Sequence, residues 1–197
     1  MIYRKRALKA FFVLFFVLPG SVLAYRFASS YFEEPLLYST GDHPLDVVAG
    51  DLNRDGDIDL LTANRDGRSI SVYLGNGDGS LTELDPIETE LGPTSLTLAY
   101  YDGDFDLDLI ATVCRPGCTE NAILIFRGLG NGQFETIAMV SASGVPYNIL
   151  SADFDGNGLV DFAASDYPGN RIIQFMRKAD SVPLEERFLK TGRRPIA

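Results

Sequence analysis

An acidic loop set between two apolar runs occurs three times in this chain, and that recurrence constrains the fold more than any other feature. The segments are residues 47–64 (VVAGDLNRDGDIDLLTAN), 94–114 (TSLTLAYYDGDFDLDLIATVC) and 148–166 (NILSADFDGNGLVDFAASD). Aligning their last acidic residues puts Asp59, Asp108 and Asp161 in register, 49 and 53 residues apart. Apolar residues on both sides of a tight polar loop read as strand, turn, strand. Each repeat then continues in kind. Residues 70–74 are apolar with alternation and lead into Gly75-Asn76-Gly77-Asp78-Gly79, while residues 123–126 lead into the glycine-rich run 128–134. The third repeat keeps a strand around residues 172–176 and loses the glycines. Glycine turns between short β-rich runs predict a second hairpin. Four short strands in a unit of about 50 residues is the size of a propeller blade. The expected fold is all-β, with about three propeller-type blades over residues 41–91, 92–143 and 144–191.

Three blades are fewer than the four to eight of closed propellers, which predicts an open or incomplete array. Residues 32–39 read as the last strand of a preceding repeat. Residues 191–197 (TGRRPIA) repeat the junction seen at 40–45 (TGDHPL) and 143–146 (SGVP), so residues 192–197 read as the start of a fourth repeat. Blades stabilise one another through their faces, so the end blades are expected to expose apolar surface and to self-associate through it.

The first loop reads Asp51-x-Asn53-x-Asp55-Gly56-Asp57-x-Asp59. Oxygen side chains at every second position, a glycine at the turn and a final carboxylate make a site for a hard cation. Calcium accepts six to eight oxygens in irregular geometry, whereas magnesium demands a near-ideal octahedron. Asp51, Asn53, Asp55 and Asp59 are the expected side-chain ligands, with a backbone carbonyl from Asp57. The third loop, Asp153-x-Asp155-x-Asn157-Gly158-Leu159-x-Asp161, matches throughout, Leu159 supplying its carbonyl. The second has Tyr100 in place of the first carboxylate and Phe105 in place of the glycine, but keeps Asp102, Asp104, Asp106 and Asp108. The expectation is Ca2+ at two strong sites and one weaker or re-registered site in the second loop; the alternative is solvated acidic turns without metal. An EF-hand would need a bidentate Glu at the twelfth position between helices. That position holds Thr62, Ala111 or Ala164. A nine-residue β-roll repeat does not fit the period either.

The pieces DLNRDGDIDLL, YDGDFDLDLI and DFDGNGLVDFA, with VYLGNGDGSL downstream, resemble the FG-GAP/VCBS repeats of integrin α-subunit propellers and of many bacterial exported proteins. The resemblance covers nearly all of residues 25–197. It implies blades whose acidic loops lie in hairpins and bind calcium. It also implies roles in adhesion, ligand recognition or scaffolding, in members that are usually non-catalytic.

The N-terminus addresses the compartment. Arg4, Lys5, Arg6 and Lys9 precede an apolar run at 10–18, a Pro19-Gly20 break and small residues suited to cleavage after Ala24. That order predicts a secretory signal peptide over residues 1–24. An uncleaved anchor is the alternative, but the run is shorter than the roughly 20 residues of a spanning helix. Cleavage would remove four positive charges and no negative ones, taking the net charge from −10 to −14. Such an excess argues against nucleic acid and anionic membrane as partners. In an oxidising compartment Cys114 and Cys118, bent together by Pro116-Gly117, are expected to form a disulfide. A zinc cage is the alternative, and His43 is the only histidine available to it.

Eleven of the 27 acidic residues lie in the three loops, where a metal accounts for their spacing better than a glycosidase pair does. No G-x-S-x-G or H-E-x-x-H motif is present. The expected function is that of a secreted or periplasmic calcium-binding module without catalysis, recognising an extracellular protein or glycan. The alternative is the non-catalytic propeller portion of an exported enzyme acting on polysaccharide.

Overall fold

The computed structural model describes residues 35–178 and 185–190. The chain divides into two units, Met1–Leu36 and Leu37–Ala197, and every described strand lies in the second. The expected signal peptide at 1–24 and the start of a fourth repeat at 192–197 lie outside the described residues. Among those described there is no helix.

Three antiparallel sheets follow one another along the chain. The first contains β1 (Pro44–Gly50), β2 (Asp59–Asn64), β3 (Ser69–Gly75) and β4 (Leu81–Glu83) in that order, with β5 (Ile87–Glu88) also paired to β3. The second runs β6 (Gly92–Ala99), β7 (Asp108–Cys114), β8 (Asn121–Gly128) and β9 (Phe134–Ser141). The third runs β10 (Pro146–Ala152), β11 (Asp161–Asp166), β12 (Arg171–Met176) and β13 (Glu185–Lys190). Each sheet is a blade in up-and-down order. A register shift interrupts the first strand of every blade just after Pro44, Pro93 or Pro146. Proline has no N–H for the ladder, so it sits at the strand start beside a bulge.

Side-chain alternation sets what each blade buries. Leu61, Ala63, Ile70 and Val72 of the first blade meet Leu109, Ala111, Val113, Leu124 and Phe126 of the second in one core. The intervening residues Ile110, Ile123 and Ile125 turn the other way and meet Ile149, Phe162, Ala164, Ile173 and Phe175 of the third blade in another. The middle blade is therefore apolar on both faces. Polar contacts fasten the first strands side by side. Asp46 Oδ2 accepts from Ser95 Oγ and the Leu96 N–H at 2.7 and 2.8 Å, and Thr97 bonds Ser151 at 3.0 Å. Arg177 of the third blade donates to the Tyr101 carbonyl and lies 4.0 Å from the centre of the Tyr101 ring, which stacks on Phe162.

The far face of the first blade mixes apolar residues, Leu60, Tyr73 and the 58% exposed Val47, with polar ones. It carries Thr62, Asn64, Ser69 and Ser71, and the Asn64 amide donates to both serine hydroxyls. Asn64, Ser69 and Ser71 are themselves buried, so their amide and hydroxyls satisfy one another in place of water. Of the strand expected over residues 32–39, residues 32–34 lie outside the described residues and 35–39 form no strand. Tyr38 and Ser39 bind the blade by single hydrogen bonds instead, with the Tyr73 hydroxyl donating to the Ser39 carbonyl and the Leu81 N–H to the Tyr38 hydroxyl.

Phe162 has no exposed surface and joins the second and third blades. Phe162→Ala should cost about 3–5 kcal/mol, read as a shift of the urea unfolding midpoint.

Candidate metal centres

Each acidic loop is the hairpin connection between the first and second strands of its blade. Its last aspartate faces the end of the preceding strand: Asp59 pairs with Gly50, Asp108 with Ala99 and Asp161 with Ala152. These three side chains are fully buried. One oxygen of each accepts a backbone N–H from the start of the loop, from Leu52 (2.7 Å), Tyr101 (2.7 Å) or Phe154 (3.0 Å). The other accepts one from the end of the third strand, from Gly75 (2.7 Å), Gly128 (2.9 Å) or Arg177 (2.7 Å). Each thus holds three strands and the loop together before any metal is considered, and offers a cation only the lone pairs left over.

The remaining loop side chains fold the turn by a second set of bonds. In the third loop, Asp153 accepts from the N–H groups of Gly156 (2.7 Å), Asn157 (3.1 Å) and Gly158 (2.8 Å). The Gly158 bond foremost, then those of Gly156 and Asn157, holds the Asp153 carboxyl below the usual carboxylate range against the effect of burial. Asp155 accepts from Asn157, and Asn157 from Leu159. Oxygens of Asp153, Asp155 and Asp161 lie within 4.8 Å of one another. Among the described residues this is the one convergence of three acidic, His or Cys ligands.

The first loop is built the same way, with an amide in place of one carboxylate. Asp51 Oδ2 accepts from the Gly56 N–H at 3.0 Å, Asn53 Oδ1 from Asp55 and Asp55 Oδ1 from Asp57. Asp51 Oδ1 is buried and has no hydrogen-bond partner. Buried oxygens of that kind call for a ligand or water. Asp57, expected to give only its carbonyl, also lies against the second hairpin: a Cβ at Gly77 would fall 2.7 Å from its carboxylate, and one at Gly130 would fall 2.5 Å from that of Asp106. The glycine turns leave room for the acidic loops, a contact that sequence reading missed. The pairing of a glycine run with each of the first two loops was its visible signal.

The second loop repeats the turn bonds, Asp102 accepting from Asp104 and Asp104 from Asp106. Tyr100 and Phe105 face outward, so neither adds a ligand. Burial foremost raises the Asp108 carboxyl, against the N–H groups of Gly128, Asp102 and Tyr101. As pH falls, Asp108 takes up a proton before Asp153 does.

The profile of the FG-GAP-like repeat family matches residues 51–111 and 101–164, which together make up more than half of the 197 residues. The chain belongs to the FG-GAP-like repeat family. No curated protein matches it. Among solved structures, this FG-GAP-like chain is similar to a functionally unknown protein from Desulfotomaculum acetoxidans DSM 771, at 12% identity and a TM-score of 0.51. That alignment covers 77% of this chain and 48% of the other, so the chain spans about half that protein's length. The likeness supports the fold alone.

The expected disulfide is not formed in this structure: Cys114 and Cys118 are both thiols. Both sulfurs lie 3.9 Å from Arg65 Nη2. Burial, then a hydrogen bond and charge from Cys118, push the Cys114 thiol up to about 11. A neutral, buried thiol of that kind makes a poor metal ligand.

The shared bonding of Asp59 and Asp108 gives a direct expectation. With calcium chelated, Asp59→Ala and Asp108→Ala should each cost about 2–5 kcal/mol, because each leaves at least two backbone N–H groups without an acceptor. Urea unfolding in chelator measures both. A loss for Asp59→Ala seen only when calcium is present would show that its oxygens serve the metal alone.

Proposed function

We propose that this chain is an exported calcium-binding repeat protein that works as a recognition, adhesion or scaffolding module outside the cytoplasm and carries out no catalysis. The observation that carries the calcium reading is the convergence of Asp153, Asp155 and Asp161. Two exposed carboxylates and one buried one, brought this close, repel one another without a cation, and irregular oxygen sets of this kind suit calcium. Asp153, Asp155, Asn157 and Asp161 with the Leu159 carbonyl would hold the ion in the third loop. Asp51, Asn53, Asp55 and Asp59 with the Asp57 carbonyl would do so in the first, where the unpartnered Asp51 oxygen supports the assignment.

Export rests on the basic, apolar and small-residue order of residues 1–24. The proposed partner is an extracellular protein or glycan, with a second copy of the chain as a further partner. Self-association is supported by the far face of the third blade, where Leu150 and Leu189 are 53% and 49% exposed. In an oxidising compartment the adjacent Cys114 and Cys118 sulfurs would be able to join.

Saturating calcium should raise the melting temperature over that in chelator. A ligand at a hundred times its dissociation constant contributes about 2.7 kcal/mol per site, roughly 5–10 °C for a chain of this size. Asp155→Ala should remove one bound ion, counted by calorimetric titration, while leaving the chelated melting temperature within about 2 °C, because Asp155 is exposed and bonds only within its turn. Identical melts with and without calcium would reject the reading. Light scattering at saturating calcium should show a mass that rises with concentration; a constant monomer mass would remove the self-association.

A further inference from the structure

The three loops share a backbone bend at their fourth position, where Arg54, Gly103 and Gly156 have φ of 62°, 86° and 74°. Glycine adopts this left-handed conformation without penalty, and an arginine does not. A strained side chain at a position the other repeats give to glycine points to a use for that side chain. Arg54 does not fold back onto its own acidic loop. Its Nε lies 2.6 Å from Asp106 Oδ1 in the next blade, and its Nη2 donates to the Asp104 carbonyl at 3.2 Å. The Asp106 side chain is only 16% exposed, and its Oδ1 is buried with no hydrogen-bond partner. The guanidinium is therefore the cation that this oxygen meets.

The second loop is also the one whose ligand pattern is broken. Tyr100 has replaced the first carboxylate, and Phe105 holds a φ of 71° where the other two loops have glycine. It nevertheless keeps Asp102, Asp104 and Asp106 at the turn, a concentration of negative charge that requires compensation. Arg127 stands near the same loop: its guanidinium is held more basic by Glu135 first, and also by the fields of Asp102 and Asp104.

We infer that Arg54 is the resident cation of the second loop, so that the loop is neutralised from the neighbouring blade and takes no metal ion of its own. The inference rests on the calcium reading only for the count of ions, two per chain in the first and third loops. The arginine also links the blades. It is placed between Asn53 and Asp55, so order imposed on the first loop is passed through one residue to the second.

The test uses the mature chain with Arg54→Gln, Asp106→Asn and both together. In chelator, each single change should lower the melting temperature by about 2–4 °C, and the double change should lower it no further than the larger single one. Additive losses would overturn the pairing. In calorimetric titration, wild type and Asp106→Asn should bind the same two calcium ions. A third ion in wild type that Asp106→Asn removes would overturn the inference, because the loop would then hold metal beside the arginine. A wild-type chain that binds no calcium would overturn the reading of the first and third loops, and the melts in chelator would still decide the role of Arg54.

Discussion

A carboxylate with no exposed surface must find its donors inside the protein, and Asp59, Asp108 and Asp161 find theirs on the backbone. Each stands at the point where the second strand begins. From there it gathers the first turn of its loop and the last residue of the third strand. Hydrophobic contact between blades is non-directional and would tolerate sliding. The polar contacts of Asp46, Thr97 and Arg177 supply the direction between blades, while the buried carboxylates hold their N–H donors within narrow limits inside each blade. Within each blade the acidic loop and the end of the third strand take their positions from these three groups.

The loops therefore have two layers. The inner layer is the buried aspartate, which belongs to the sheet. The outer layer is the exposed turn, where Asp153, Asp155 and Asn157, or Asp51, Asn53 and Asp55, each cap an N–H two to five residues further on. Turn bonds of this kind curl the chain so that the free oxygens face inward. The second loop retains the inner layer intact and has changed the outer one. The blade survives such a change because the layers answer to different donors.

Much of this was legible in the sequence. The nine-residue acidic pattern between apolar runs located the hairpin, and the run at residues 123–126 located a strand buried on both sides. The family resemblance led to the same repeats. Less legible was the division of labour among the acids, because a run of alternating oxygens does not mark which one is buried. The clue was that, among the loop acids, Asp59, Asp108 and Asp161 alone are followed by two apolar residues in succession. The polar part of the first blade's far face was in plain view, since Thr62, Asn64, Ser69 and Ser71 alternate with Leu61, Ala63, Ile70 and Val72. Arg54 stands where the other loops have Gly103 and Gly156, but nothing local names its partner. A long side chain at a turn takes its partner from the next blade, and that distance does not exist until the blades pack.

Arrays of this type lengthen when a repeat is copied in frame, and the two-sided packing of the middle blade decides which copy fits. Its β7 and β8 place Leu109, Ala111, Val113, Leu124 and Phe126 on one side, with Ile110, Ile123 and Ile125 on the other. A duplicate inserted beside it would meet apolar surface in both directions. A duplicate of the first blade in the same slot would set the polar side chains of Thr62, Asn64, Ser69 and Ser71 where the middle blade offers apolar contact. Growth of the array is therefore favoured from its interior, and the first repeat is free to diverge without passing its changes on.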